Sequence, residues 1–513
     1  MSASNAIQQD VIAFLQQELS TIDGPPKITT THISVIFLSG ERAFKLKRAV
    51  AYSFLDFTTL EARRIACERE LEINRRTAPT IYKGVVPVTM DDGQFAVDGD
   101  GEIVDWLVEM ARFDEVTLFD RLIKVERGLR RPMIEGLADA ISEFHTHAEI
   151  SKARGGANGI RKIAENNVKA FAALPDEAFS AKDVNAVTSE TLARIDAQQL
   201  VLDARRKRGC VRHCHGDLYL RNIRLVDGQP TLFDAIEFSD DFSEIDVAYD
   251  LAFVLMDLQF HGQRRLASFL LNRYLEVADE QADIYRVLPI FLSMRAQIRA
   301  HVGAAIFAVQ TDEDARDQEL QIARDYLVLA KEYLNETPPR LVAVGGLSGS
   351  GKSRLAREVA SHIGLAPGAR VVRTDVVRKR ISGIHPNETL GAEGYTAEMT
   401  VKTYEAFIDQ AREAILAGQS VVLDAVFAMQ DQRETAEALA TELGVPFTGI
   451  WVDAPEDVRI ERVMKRERNV SDITPEIARS QSAYDVGEMT WASVNSAGEK
   501  TETVAQGLRI LGV

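Results

Sequence analysis

The sequence predicts two domains of different fold class, an α+β half followed by an α/β half with a parallel sheet. Three observations predict it. The chain has 513 residues, too many for one ordinary hydrophobic core, so two or three domains are expected. In "LNETPPRLVAVGG", residues 334–346, a long helical pattern rich in Leu, Ala, Glu and Arg stops at Pro338-Pro339 and a β-branched run follows. Adjacent prolines cannot continue a helix and bias the chain towards extended backbone. The patterning also differs on the two sides of that seam.

Taken in order, "MSASNAIQQDVIAFLQQEL" lacks a basic start, a long apolar stretch and a small-residue cleavage site. It reads as an amphipathic helix within residues 1–30 and not as a signal peptide. "HISVIFL", "RAFKLKRAV" and "EIVDWLVEM" alternate as strands of an antiparallel sheet, interrupted by the helical "LEARRIACERELEINRR". From about 113 helices dominate, as in "LFDRLIKVER" and "IEGLADAISEFHTHAEI". "RNIRLVDGQPTLFDAIEF" stands out among them as a hairpin with Asp227-Gly228 at its turn. One domain thus spans 31–335, with a sheet part at about 31–112 and a helical part at about 113–335. A linker at 336–340 leads to the second domain, 341–513. There "LVAVGG", "ARVVRTD", "QSVVLDAV" and "FTGIWVDA" alternate with helical segments, which implies a parallel sheet with crossover helices.

Composition excludes some classes. Hydrophobic residues make up 46% and charged residues 27%, which is globular. The net charge of −17 argues against a nucleic-acid partner, because neutralising phosphates needs clustered Lys and Arg. Three cysteines, Cys67, Cys210 and Cys214, are too few for a disulfide framework. Cys210 and Cys214 with His213 and His215 form the one candidate metal cluster, at a spacing that metal-site patterns do not favour. No apolar run approaches the roughly 18–20 residues that cross a bilayer, so a cytoplasmic protein is expected.

"RHCHGDLYLRNIRL", residues 212–225, places His215, Asp217 and Asn222 in the order H-x-D-x-x-x-x-N, with Asp234 beyond the hairpin turn. Phosphoryl transfer needs a group to accept the attacking hydroxyl's proton and oxygen ligands for magnesium on the nucleotide phosphates. Asp217 can accept the proton. Asn222 and Asp234 are hard oxygen donors that one hairpin returns to each other's side.

These residues resemble the eukaryotic-like kinase fold and, within it, the aminoglycoside phosphotransferase family. "HGDLYLRN" is similar to that family's catalytic loop, with Gly216 where protein kinases carry Arg. "LFDAIEF" resembles its metal-binding segment, and "IDVAYDLA" the stretch after it. The resemblance covers about residues 30–335 and implies a bilobal fold. It implies Asp217 as base, Asn222 and Asp234 as metal ligands, and Asp250 as the residue tying down the loop. It also requires a strand lysine held by a helix glutamate. Lys45 and Lys47 point to one side of a strand, with Lys45 preferred; Glu70 or Glu68 is the partner, with Glu70 preferred. Gly40 in "LSGERAF" is the candidate phosphate turn, and Met110 in "LVEMARF" falls where the adenine-binding hinge belongs. His145 and His147 read as helix packing and surface residues.

"GGLSGSGKS", residues 345–353, satisfies G-x-x-x-x-G-K-[ST] between a strand and a helix. Backbone N–H groups of Gly346, Ser348, Gly349, Ser350 and Gly351 would curl around phosphates, with the helix N-terminus behind them. Lys352 would reach the β- and γ-phosphates, and the Ser353 hydroxyl would hold magnesium. "VVRTDVVRKRI" sets Asp375 and Arg378 past one strand, Asp424 ends another, and "APEDVRIERVMKRERNVSD" concentrates Arg459, Arg462, Arg466 and Arg468. Such arginines can close over a transferring phosphoryl group. This half resembles the small P-loop kinases related to gluconate kinase, zeta toxins and polynucleotide 5′-kinases. The resemblance implies Asp375 as base, Arg378 as an acceptor or phosphate contact, Asp424 at the site floor, and Arg462 and Arg466 in a lid.

The expected function is a bifunctional kinase using ATP and Mg2+, moving the γ-phosphoryl group to a hydroxyl of a sugar-, aminoglycoside- or nucleoside-like small molecule. Two alternatives stand beside it. One domain is catalytic and the other a nucleotide-binding regulator, or the P-loop half phosphorylates nucleic-acid 5′ ends. The acceptors, ATP against GTP, and the oligomeric state carry no code in the sequence. The acidic run 238–246 and the stretch 291–305 are the acceptor-pocket candidates.

Overall fold

A computed structural model describes residues 3–52, 55–126, 128–278, 281–465 and 474–513. The chain separates into two units, residues 1–159 with 203–254, and residues 160–202 with 255–513.

In the first unit six antiparallel strands run in the order Lys27–Thr30, Ser34–Ser39, Arg42–Lys47, Glu102–Ala111, Tyr82–Asp91 and Gln94–Val97. Alternation assigns their faces. Phe44 and Leu46 join Val35, Phe37 and Leu107 in one core with Val11, Leu15 and Leu19 of the helix Ala3–Asp23. Buried Gln8 stitches that helix to the sheet, donating to the Lys47 carbonyl at 2.9 Å and to Asp105 Oδ2 at 2.8 Å. Its Oε1 accepts from the Ala49 N–H at 2.7 Å. The opposite face receives the helix Leu60–Arg75, whose Thr59 side chain caps its first turn.

The helix expected over "LFDRLIKVER" shortens to Phe119–Leu122 and continues as turns. Val125 beyond it is 60% exposed, so no apolar stripe holds a longer helix down. The helix Arg131–His147 follows, and the expected hairpin pairs Ile223–Val226 with Gln229–Leu232. Asp227 at φ 50° and Gly228 at φ 78° both take the left-handed backbone its tight turn demands.

The second unit holds a parallel sheet in the order Arg370–Arg373, Val421–Asp424, Leu341–Gly345, Phe447–Asp453 and Ala492–Asn495. Four of these strands match the expected segments. Ala492–Asn495 was not expected, because it lies at the sheet edge with three of four residues exposed and carries no apolar run. Val342, Val344, Val371, Val422, Ile450 and Val452 form the buried centre with Leu355 and Val359 of the helix Lys352–Ala360, as a sheet covered on both faces requires. Pro338 and Pro339 sit between the helix Glu313–Glu332 and the strand Leu341–Gly345.

The opposite edge strand, Arg370–Arg373, is covered by the helix Arg264–Val277. Asn272 Oδ1 accepts from the Val371 N–H at 2.7 Å, and its Nδ2 donates to the Ala369 carbonyl at 3.1 Å. One carboxamide thereby replaces a neighbouring strand on an edge that would otherwise be open. Among the described residues no helix is long and apolar enough to cross a membrane.

Candidate active sites

In the first unit the strand Arg42–Lys47 and the helix Leu60–Arg75 meet over Glu70, which is fully buried. Lys45 Nζ lies 2.7 Å from Glu70 Oε1, and Lys47 Nζ lies 2.5 Å from Glu70 Oε2. Lys45 also reaches Asp234 Oδ1 at 2.8 Å, and Lys47 pairs with buried Glu237. Glu68 turns outwards to Arg64 instead. Two cations thus face three carboxylates. Burial pushes the Glu70 carboxyl up, but Lys45 and Lys47 outweigh it and hold Glu70 below its ordinary range. Burial dominates at Glu237 and raises its carboxyl. Glu237, three residues past Asp234, was not singled out in the sequence; its only signal was a second acid in "LFDAIEF".

The hairpin brings the other residues to the same place. Asn222 donates to the Asp217 carbonyl at 2.9 Å and to Asp217 Oδ2 at 3.0 Å. The Phe233 N–H bonds the Asn222 carbonyl at 3.0 Å, which sets Asp234 beside Asn222 across the base of the ladder. Asp234 takes φ 62°, and its side chain is 45% exposed. Its backbone is fixed by the Tyr82 hydroxyl at 3.1 Å, and Asn74 accepts from Ala235 at 2.8 Å. Asp250 accepts from the His215 and Gly216 N–H groups at 3.1 and 2.9 Å, which ties the loop down. His145 Nε2 meets the same carboxylate at 3.2 Å. Gly216 holds φ 82°, and a Cβ there would stand 2.8 Å from the Phe242 carbonyl oxygen. That close approach accounts for a glycine at the position.

Met110 pairs with Ala43 and Tyr82 in the sheet and packs near Phe113 and Phe233. Gly40 takes φ 50° between its strands. The candidate metal cluster around Cys210, Cys214, His213 and His215 does not assemble. Among the described residues His145, Cys214 and Asp250 are the potential ligands that lie together, and Asp250 is already engaged by the loop.

In the second unit the glycine loop joins the strand Leu341–Gly345 to the helix Lys352–Ala360. Gly349 and Gly351 adopt φ 86° and 95°. A Cβ on Gly349 would meet the Arg459 carbonyl at 2.3 Å, and one on Gly346 the Val452 carbonyl at 2.4 Å. Ser353 Oγ donates to Asp424 Oδ1 at 3.1 Å. Two supports were not visible in the sequence. Gln481 Oε1 accepts from the Ser348 N–H at 2.8 Å, and Ser496 Oγ donates to the Ser350 carbonyl at 2.5 Å. Ser348 and Ser350 keep buried hydroxyls without a hydrogen-bond partner inside this loop.

The other expected residues are placed as follows. Asp375 lies in the first turn of the helix Thr374–Ile381. One turn on, buried Arg378 donates to the Gly394 carbonyl at 2.8 Å and stacks over Tyr395 at 5.1 Å. Arg459 is buried against the Ser348 and Ala478 carbonyls. Arg462 donates to the Ser496 carbonyl at 2.6 Å and lines a cavity of about 180 Å³ with Gly349, Gly351 and Lys500. Arg466 and Arg468 lie outside the described residues.

Hard oxygen donors and an orphaned, glycine-lined cradle fit magnesium and nucleotide phosphates in the second unit. Asp234 and Asn222 are donors of the same kind in the first. Gly349→Ala checks the cradle. A strained left-handed residue costs about 1–3 kcal/mol; a loop that relaxes to relieve it must regain the cradle shape on binding, and at about 1.4 kcal/mol per tenfold ATP affinity at this loop should fall about fivefold or more. A fluorescent-nucleotide titration reads it.

A family model described as an AAA domain matches residues 341–484. The "Uncharacterized protein Rv2004c" of Mycobacterium tuberculosis (strain ATCC 25618 / H37Rv) is 30% identical over 494 residues, covering 94% of this chain and 95% of that protein. A choline/ethanolamine kinase family protein from Mesorhizobium loti aligns with 62% of this chain and 99% of its own, at 11% identity and TM-score 0.38. A gluconokinase from Sinorhizobium meliloti 1021 aligns with 35% and 94%, at 20% identity and TM-score 0.24.

Proposed function

We infer the activity from the premise that this chain belongs to the family of the Mycobacterium tuberculosis protein Rv2004c, a match that runs through both sides of the Pro338-Pro339 seam. The chain is a phosphotransferase with a kinase-like fold ahead of the seam and a P-loop kinase fold after it. We propose that it is bifunctional, each half moving the γ-phosphoryl group of ATP to a hydroxyl of a small molecule. One observation carries this reading: lysine or serine meets a metal-type carboxylate in both halves, Lys45 on Asp234 at 2.8 Å and Ser353 on Asp424 at 3.1 Å.

In the first half Asp217 takes the acceptor proton, held in place by Asn222, while Lys45 orients the phosphates from its anchor on Glu70. In the second, the glycine loop and Lys352 bind the phosphates, Asp375 faces the acceptor, and Arg462 borders the nucleotide cavity. Asn222 with Asp234, and Ser353 with Asp424, would hold magnesium, which when bound neutralises charge developing on the phosphate oxygens. Cys67, Cys210 and Cys214 form no disulfide with one another, which suits a reducing cytoplasm where ATP is available.

Turnover of ATP against sugars, aminoglycosides, nucleosides and 5′-hydroxyl oligonucleotides tests it, with wild type beside Asp217→Asn and Lys352→Ala. Each substitution should abolish phosphorylation of a different acceptor. If one stops all transfer and the other only rescales it, one half is a regulator and the bifunctional reading fails. If only oligonucleotides are phosphorylated, and binding collapses at moderate salt, the substrate class is wrong.

A further inference from the structure

Asp424 does not stand alone behind Ser353. Arg373, buried at the end of the neighbouring strand, brings Nε to 3.4 Å from Asp424 Oδ2, yet that Nε makes no hydrogen bond. Its Nη1 donates instead to Glu276 Oε1 at 3.4 Å, and Arg273 Nη1 lies 3.5 Å from Glu276 Oε2. Four buried side chains therefore alternate in sign, Asp424, Arg373, Glu276 and Arg273. Two of them, Glu276 and Arg273, come from the helix Arg264–Val277, about a hundred residues before the strand they serve.

That helix is fixed in register. Asn272 bonds the Ala369 carbonyl and the Val371 N–H along the open side of the edge strand, and Arg380 donates to the Leu275, Glu276 and Ala278 carbonyls at 2.8, 3.2 and 3.3 Å. Arg265 forms a two-pronged pair with Glu358 at 2.6 and 2.9 Å. Glu276 consequently has little freedom to leave Arg373.

We propose that Glu276 is a positioning residue of the P-loop site, holding Arg373 to a loose, one-pronged ion pair with Asp424 so that the carboxylate facing Ser353 keeps most of its charge for a divalent cation. This rests on the P-loop reading above. An arginine released from Glu276 is one short rotation from a two-pronged pair with Asp424, and charge-assisted pairs of that kind are strong. Asp424 would then be neutralised from behind. Arg373, like any arginine in a protein, stays charged throughout the working range.

The test is equilibrium binding of a fluorescent ATP analogue to the full-length protein across a Mg2+ series, taking as the P-loop signal the component lost in Lys352→Ala. Glu276→Gln, which keeps the shape and removes the charge, should raise the Mg2+ midpoint by at least about fivefold, as weakening a close charge pair does. Adding Arg373→Gln removes the arginine that would quench Asp424, so the double variant should return to within about twofold of wild type. An unchanged midpoint in Glu276→Gln overturns the inference, as does a double variant no better than the single. Should Glu276→Gln fail to fold, Arg373→Gln alone is expected to lower the midpoint, and a rise there overturns the inference equally. Absence of any Lys352-dependent signal in wild type overturns the P-loop reading itself.

Discussion

Glu70→Ala is expected to destabilise the first unit by about 3–5 kcal/mol, the usual cost of removing one partner from a buried ion pair. Glu70 is fully buried and is the one carboxylate shared by Lys45 and Lys47, so its loss leaves two lysine ammonium groups to Asp234 and Glu237. Asp234 is half-exposed and Glu237 is pushed towards its neutral form, so neither replaces it. Glu68→Ala, two residues away, should cost no more than about 0.5 kcal/mol, since Glu68 is 51% exposed and its ion pair among the described residues is with Arg64 along the helix. Urea unfolding followed by tryptophan fluorescence separates the two, because Trp106 lies on the strand Glu102–Ala111 of the same sheet. The acid limb has a defined sign. Against its burial, the two lysines hold the Glu70 pKa down, so its contribution is present above the unfolded pKa and lost as pH falls through the folded one. A loss below about 1 kcal/mol in Glu70→Ala would mean that the lysines do not depend on it.

The same cluster shows where the sequence stopped being informative. Lys45 and Lys47 were left open because a two-residue period puts both on one side of a strand. The structure places both on Glu70, one on each oxygen, with Lys45 alone reaching Asp234. Local motifs were legible because their backbone is local. The glycine loop needs left-handed residues in a fixed order, and the Asp227-Gly228 hairpin needs two in a row. Contacts with no local signature were not legible. Glu276 meets Arg373 across 97 residues, and Gln481 meets Ser348 across 133. Nothing in the run "FLLNRYLEV" marks Glu276 as anything but a helix acid, because its partner is chosen by how the helix docks on the edge strand. Gln8 belongs to the same class, a polar residue in an amphipathic helix whose three bonds fasten that helix to the sheet.

Asp217→Asn is expected to lower kcat for the first half's acceptor by about 10²–10⁴-fold, the range over which a positioned general base acts. Half-saturation by ATP should move by less than about twofold, since the substituted atom is not a phosphate or nucleotide contact in this assignment. The substitution is nearly isosteric, and the loop keeps its other ties. Asn222 still reaches the residue 217 carbonyl at 2.9 Å, and Asp250 still holds the His215 and Gly216 N–H groups. Loss of rate therefore cannot be charged to a displaced loop, and unchanged melting would confirm that. Asp234→Asn makes the complementary case, because it weakens the carboxylate at Lys45 and should raise the Mg2+ and ATP requirement along with lowering kcat. Single-turnover transfer followed across ATP and Mg2+ series distinguishes the two. A rate in Asp217→Asn within about threefold of wild type would remove Asp217 as the base and leave the loop with a positioning role, since phosphoryl transfer with a dissociative transition state draws most of its acceleration from placement and charge.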